Sequence, residues 1–169
     1  MHVILADRPA PSLDEAPRRE WIARCEEAYS RVYRGLIAMG AAPDEAADAL
    51  QDAFEDALRR RTPVTSPDGW LFVVARRKLR RARWRRRIFH PLDSVVGETA
   101  SNERDQEIDL LTELARLTDR QRTVIILRYV LGLSQREIAE LLSIAIGTVS
   151  ATVHQATTIL RERLKGGTE

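Results

Sequence analysis

Three groups of side chains in this 169-residue chain could do chemistry. The first is the run "RRKLRRARWRRR" at positions 76–87. A surface so dense in cations binds phosphates and releases their counterions. A merely solvated basic face is the alternative, but like charges this close repel one another without a polyanion. Trp70, Phe72 and Trp84 are interleaved with the cations. Aromatics beside arginines suit stacking on unpaired bases. They equally suit core packing for Trp70 and a partly exposed anchor for Trp84. The second group, Asp48, Gln51, Asp52 and Glu55, recurs at helical spacing. Without a partner histidine or metal it makes no catalytic dyad. It is either a solvated helix face or a docking face for a basic helix of another protein. The third is "SQREIAELLSIAIGTVSATVHQATTIL", Ser134 to Leu160. A short capped helix, a tight turn and a second helix form either a DNA-reading helix-turn-helix or a plain helical hairpin. Its second helix is unusual: Thr148 to Leu160 contains no Lys, Arg, Asp or Glu.

The formal net charge of +2 conceals a segregation of sign. Between Arg59 and Arg87 there are twelve Lys/Arg and one acid, Asp68, whereas Asp93 to Glu107 holds five acids and one base. Such blocks point to a polyanion partner for the first and a solvated or mimicking segment for the second. Cys25 is the single cysteine, so no disulfide within the chain or zinc site can be built, and His2, His90 and His154 form no ligand cluster. The N-terminus lacks a basic region before its short apolar run and is followed by prolines, unlike a signal peptide. No apolar run has the length of a membrane span. A cytoplasmic protein fits best. No Gly-rich phosphate loop, nucleophile constellation or metal spacing is present, which argues against an enzyme and against a cofactor.

The elements that must position these groups read as helices throughout. Residues 1–18 are Pro-rich and expected to be a mobile tail. Trp21, Ile22, Cys25, Tyr29, Val32, Tyr33, Leu36 and Ile37 recur at helical spacing, and Gly40 stops that helix. Pro43, Asp44 and Glu45 suit the first turn of a second helix, with Ala46, Ala49, Leu50, Ala53, Phe54, Ala57 and Leu58 as its apolar face. A turn-rich loop, "TPVTSPDGW", precedes a third helix. Thr118 with Gln121 and Ser134 with Glu137 form capping boxes, and Gly132 separates the two helices they open. Ile138, Leu141 and Leu142 are expected to pack on Ile146, Val149 and Val153 across the turn. The fold class is therefore all-α. Two small helical domains, 19–87 and 108–169, are joined by a flexible acidic linker, 88–107.

Taken together, these segments resemble the extracytoplasmic-function sigma factors of bacterial RNA polymerase, over about residues 20 to 165. "DALQDAF" (Asp48 to Phe54) is similar to the segment by which those proteins dock on the polymerase largest subunit. The resemblance carries a core-polymerase contact to Asp48, Gln51 and Asp52, with Glu55 on the same face. "PDGWLFVVARRK" resembles the segment that opens promoter DNA and reads the −10 element, matching at Trp70, Leu71, Ala75 and Arg76. It implies −10 contacts by Trp70, Arg76, Arg77, Lys78, Arg80, Arg81 and Arg83, although the family usually has Asn at the position of Arg77. "LARLTDRQRTVIILRYVLGLSQREIAELL" is similar to the promoter-distal module. It implies −35 contacts by Arg136, Thr148, Ser150, Ala151, His154 and Gln155; in one reading Ser150, Ala151, His154 and Gln155 meet the bases while Arg122, Arg128, Arg136, Arg161 and Arg163 serve phosphates. The family usually has Gly where this chain has Ser143, and cations at several of Ser150, Thr152, Gln155, Thr157 and Thr158. The helix could instead face protein. The implied partners are core RNA polymerase, promoter DNA, and an anti-sigma factor or co-activator. A helix-turn-helix regulator that binds DNA as a dimer, without joining polymerase, is the alternative.

Overall fold

The structure, a computed structural model, describes residues 15–60, 64, 66–89 and 105–166. Among these there are seven helices and no strand: α1 (Glu15–Ala38), α2 (Pro43–Arg59), α3 (Pro67–Phe89), α4 (Asp105–Ala115), α5 (Asp119–Tyr129), α6 (Gln135–Leu142) and α7 (Ile146–Gly166). The all-α expectation holds. Most of the expected acidic linker and of the N-terminal tail, with His2 and His90, lies outside the described residues.

The helix ends follow from local chemistry. Gly40, at φ +84°, ends α1. Its N–H donates to Ile37 O at 2.8 Å, and Ala41 N–H donates to Leu36 O at 3.1 Å. This pair of bonds satisfies the last carbonyls and needs a left-handed residue between them. Both expected capping boxes form: Gln121 N–H donates to Thr118 Oγ1 at 3.2 Å, and Glu137 N–H donates to Ser134 Oγ at 3.2 Å. The third helix starts at Pro67, three residues earlier than the sequence suggests. Ser66 Oγ accepts from Gly69 N–H at 3.4 Å, Pro67 opens the turn and Asp68 sits at its positive end. Thus "SPDG" is a helix start rather than loop. Helix α4 is an addition, since the sequence signals a cap only from Thr118 onward.

Helices α1, α2 and α3 pack as a three-helix bundle. Its interior holds Trp21, Cys25, Val32 and Leu36 of α1, Ala46, Leu50, Ala53 and Ala57 of α2, and Leu71, Phe72, Ala75 and Leu79 of α3. The alanines of α2 let its backbone approach its neighbours closely, while Leu58, expected on the apolar face, is exposed. Each fully buried Leu or Phe contributes about 1.5–3 kcal/mol. The same apolar cluster runs on without a break into Val124, Ile126 and Leu127 of α5, Leu131 and Leu133 of the following turn, Ile138 of α6 and Val149 of α7. A second, small cluster of Leu114, Leu117, Ile125 and Ala156 joins α4, α5 and α7.

The turn between α6 and α7 is built on Ser143, which sits at φ 53°, ψ 48°. Ser143 N–H donates to Glu140 O at 3.3 Å and Ile144 N–H to Ala139 O at 3.0 Å, the same closure as at Gly40. Ile138 and Val149 are fully buried in the main cluster, and Leu141, Leu142 and Val153 pack against that cluster. Ile146 is not part of this contact: it lies in the first turn of α7 and is 54% exposed. A left-handed serine costs about 1 kcal/mol relative to glycine. Ser143→Gly should therefore raise the thermal midpoint by about 1–4 °C without altering helix content, as read by circular dichroism against temperature. A lower midpoint would contradict this account of the turn.

Candidate nucleic-acid and protein interface

The burial of Leu71, Phe72, Ala75 and Leu79 sets the rotation of α3. Helical spacing then puts Arg77, Arg80, Arg81, Trp84 and Arg85 together on the opposite face, and all five are exposed. Trp84 is 64% exposed, an aromatic set among guanidinium groups. Of the expected −10 contacts, Arg77, Arg80 and Arg81 lie on this stripe. Arg85 belongs with them and is a further cation that the resemblance does not single out. Its signal in the sequence is its spacing, one helical turn beyond Arg81.

The other expected contacts lie on the flanks of α3 and are engaged within the chain. Lys78 Nζ is 2.8 Å from Asp56 Oδ2 of α2. Arg83 Nη2 is 2.7 Å from Glu45 Oε2 and also donates to Gly40 O at 2.6 Å; Arg86 Nη1 lies 3.5 Å from Glu45 Oε1. The hydrogen bond from Arg83 holds the Glu45 carboxyl below the usual carboxylate range, with a further contribution from the Ala42 N–H. At the start of the helix, Arg31 Nη2 is 2.5 Å from Asp68 Oδ2. Glu45 and Asp56 of α2 thus offset part of the repulsion along the arginine run.

On α2, Asp48, Gln51, Asp52 and Glu55 all point to solvent on one face. Glu55 pairs with Arg59 at 3.1 Å. Asp48 and Asp52 also line a shallow cleft whose other wall is Lys78, Arg81, Trp84 and Arg85 of α3. Acidic and basic stripes therefore lie side by side on one bundle.

Trp70 is half-buried. Its ring meets Trp21 edge-on at 5.3 Å, and the Arg60 guanidinium stands over it at 5.4 Å. Arg76 is paired with Asp119 of α5, and its side chain is 15% exposed.

In the helix-turn-helix, Ser150, Ala151, His154 and Gln155 are exposed on one face of α7, and Thr148 is half-buried beside them. Arg136, exposed on α6, pairs with Glu140 at 3.2 Å. Two of the cations expected to serve phosphates do other work. Arg122 donates to Met39 O at 3.3 Å, Leu117 O at 3.2 Å and Ala115 O, while Arg128 donates to Leu133 O at 2.9 Å. Arg163 lies 3.6 Å from Glu113, and Arg161 is exposed. Among the described residues no cluster of three or more His, Cys, Asp or Glu could hold a metal ion. No described helix is long and apolar enough to cross a membrane.

Comparison with known proteins bears on the fold and on the helix-turn-helix. The family described as sigma-70, region 4 matches residues 107–158, which contain the helix-turn-helix. Over 75 residues the chain is 40% identical to the ECF RNA polymerase sigma factor SigW of Bacillus subtilis (strain 168), a stretch covering 44% of this chain and 37% of that protein. The sigma factor RpoE of Bartonella quintana, solved with the anti-sigma factor NepR, matches with a TM-score of 0.66 and 26% identity, over 87% of this chain and 95% of that one. The chain has the fold and the region 4 module of an extracytoplasmic-function sigma factor. CnrH, solved with the cytosolic domain of CnrY, shares the fold at a TM-score of 0.61 and 23% identity, over 92% of each chain. In this sigma fold the region 4 match falls on α4–α7, so the arginine stripe and the acidic face belong to the module that precedes it.

The Glu45–Arg83 pair ties the two stripes of that module together and yields a pH prediction. A carboxylate depressed in the folded state adds stability that is fully present above its unfolded value, about pH 4.3, and lost as pH falls through the folded value. Wild type should exceed Glu45→Gln in thermal midpoint at roughly pH 6, and the gap should close as pH drops below about 4. A gap independent of pH would refute the ionic role of Glu45.

Proposed function

We propose that the chain is a sigma subunit, binding core RNA polymerase and directing it to promoters, which it helps to open. The observation that carries this reading is the placement of three surfaces on one sigma fold. These are the exposed Asp48–Gln51–Asp52–Glu55 face of α2, the arginine stripe of α3, and the region 4 helix-turn-helix. The acidic face of α2 docks on a basic helix of the polymerase. Arg77, Arg80, Arg81 and Arg85 hold phosphates of the −10 duplex, and their charge-assisted bonds fix register rather than sequence. Trp70 and Arg76, at the start of α3, take part in holding an unstacked base, a step that costs a few kcal/mol. Lys78 and Arg83 act one step removed, keeping α3 seated on α2.

The helix-turn-helix contributes differently. Ser150, Ala151, His154 and Gln155 offer neutral hydrogen bonds and apolar contact to −35 base edges. Arg136 and Arg161 supply the nearby charge. This reading element adds sequence preference with little electrostatic affinity. RpoE is seen with an anti-sigma factor, and an inhibitor of that kind is the partner we extend to this chain. Such a protein works in the cytoplasm, where polymerase is.

The test is run-off transcription on genomic DNA fragments with core polymerase, with and without the chain. Defined 5′ ends that appear only with the chain are expected. Asp52→Lys should weaken binding to core polymerase at least about tenfold, a cost of about 1.4 kcal/mol, and reduce those transcripts without lowering the thermal midpoint. Transcripts indifferent to the chain, together with dimeric binding to a palindromic site, would replace this reading with that of a separate regulator.

A further inference from the structure

The first turn of α7 carries a side chain that the core does not use. Ile146 opens the helix and is 54% exposed, although its place in the sequence pattern suits packing on α6. A Cβ added to its neighbour Gly147 would stand in open space, so this part of the turn is uncovered. A lone exposed apolar side chain is ordinary on a protein surface. What distinguishes Ile146 is its register. Val149, Thr152 and Ala156 turn inward, and Thr152, the most exposed of the three, is 8% exposed. Ile146, Ser150 and His154 succeed one another at helical spacing on the other side, and all are exposed. Ile146 is therefore the leading residue of the face that the sigma reading sets against the −35 element.

We propose that Ile146 is a specificity-determining residue, whose branched side chain packs on the C5 methyl of a thymine in the major groove. Residues at the start of a recognition helix are the ones that reach base edges. In that groove thymine alone among the four bases presents a methyl group, and apolar side chains read it. The composition of the helix gives this contact more weight. Thr148 to Leu160 holds no Lys, Arg, Asp or Glu, so the bidentate contact of a cation with guanine is not open to it. Ser150 carries a hydroxyl that both donates and accepts, and so discriminates little between bases by itself. The methyl contact adds a preference for one orientation of an A·T pair, and that fixes which base edges the neutral groups beside it meet. Packing on a methyl releases no counterion, so this preference persists as salt is raised. The inference rests on the sigma reading for the placing of α7 on the −35 element. To that reading it adds one residue and the chemical group on DNA that the residue recognises.

The test uses the full chain with core polymerase, on a promoter identified by the run-off assay. Each thymine of the −35 element is replaced in turn by deoxyuridine, which keeps the base pair and removes only the methyl. The readout is the concentration of chain plus core polymerase that gives half-maximal transcription. With wild type, replacement at one thymine should raise that concentration about threefold to fourfold, the effect of burying one methyl group. Ile146→Ala should need more protein on the unmodified promoter and be indifferent to that replacement, while Ile146→Val keeps most of the response. The thermal midpoint of Ile146→Ala should stay within about 3 °C of wild type, as for an exposed side chain. A deoxyuridine response that persists undiminished in Ile146→Ala, or that wild type shows at no thymine, would overturn the proposal. So would a midpoint lowered by many degrees, which would assign Ile146 to the core. If no transcript depends on the chain, the sigma reading falls. The same comparison is then made on duplex DNA selected by the full chain alone from a random pool. There, loss of the response in Ile146→Ala sustains the methyl contact, and its persistence overturns it.

Discussion

Leu71, Phe72, Ala75 and Leu79 are almost wholly withdrawn from solvent, and their burial fixes how α3 is turned about its own axis. The ion pairs on its flanks then hold that orientation. With those four side chains inside, Arg77, Arg80, Arg81 and Arg85 must face outward, and Arg76, Lys78 and Arg83 must lie on the flanks. The flank residues meet carboxylates, Glu45 and Asp56 of α2 and Asp119 of α5. Charge and packing therefore act in series. Apolar burial sorts the cations into those that bind the protein and those that face solvent.

The C-terminal module divides its cations in a similar way, with a different outcome. Arg122 and Arg128 lie where they satisfy carbonyls at helix ends, and Arg163 sits beside Glu113. Burial lowers the basicity of Arg122, a cost that its carbonyl partners offset. What remains on the outer face of α7 between Thr148 and Leu160 includes no Lys, Arg, Asp or Glu. Against DNA, such a surface would discriminate by hydrogen-bond pattern and fit and draw little on counterion release. In the function we propose, the two modules would supply complementary things, electrostatic hold from α3 and neutral contact from α7.

Much of this is legible in the sequence. The apolar spacing of α1, the alanine face of α2 and both capping boxes identify their helices without further help. The start of α3 is easily misread because Pro and Gly close together signal a turn, whereas Ser-Pro-Asp is equally a cap, a first helical residue and an acid at the dipole's positive end. Ser143 stands out in the sequence only as a departure from glycine; its left-handed conformation is the physical content of that departure. Arg85 follows from extending the spacing beyond Arg81. The engagement of Arg76 with Asp119, and of Arg122 with a carbonyl at the α1 end, does not. Those pairings span 43 and 83 residues, and nothing local encodes them. Nor does any periodicity reveal that one apolar cluster crosses from the first module into the second.

The central claim is that the main electrostatic hold on DNA lies in α3 and not in the helix-turn-helix. The salt dependence of duplex binding by the full chain tests it most directly. Replacing Arg77, Arg80 and Arg81 by Gln should flatten the slope of log affinity against log salt by about 0.9 for each phosphate left unneutralised. The same change at Arg136 and Arg161 should leave the slope nearly as it was. The reverse pattern, a slope untouched by the α3 changes and abolished by those at Arg136 and Arg161, would contradict the account.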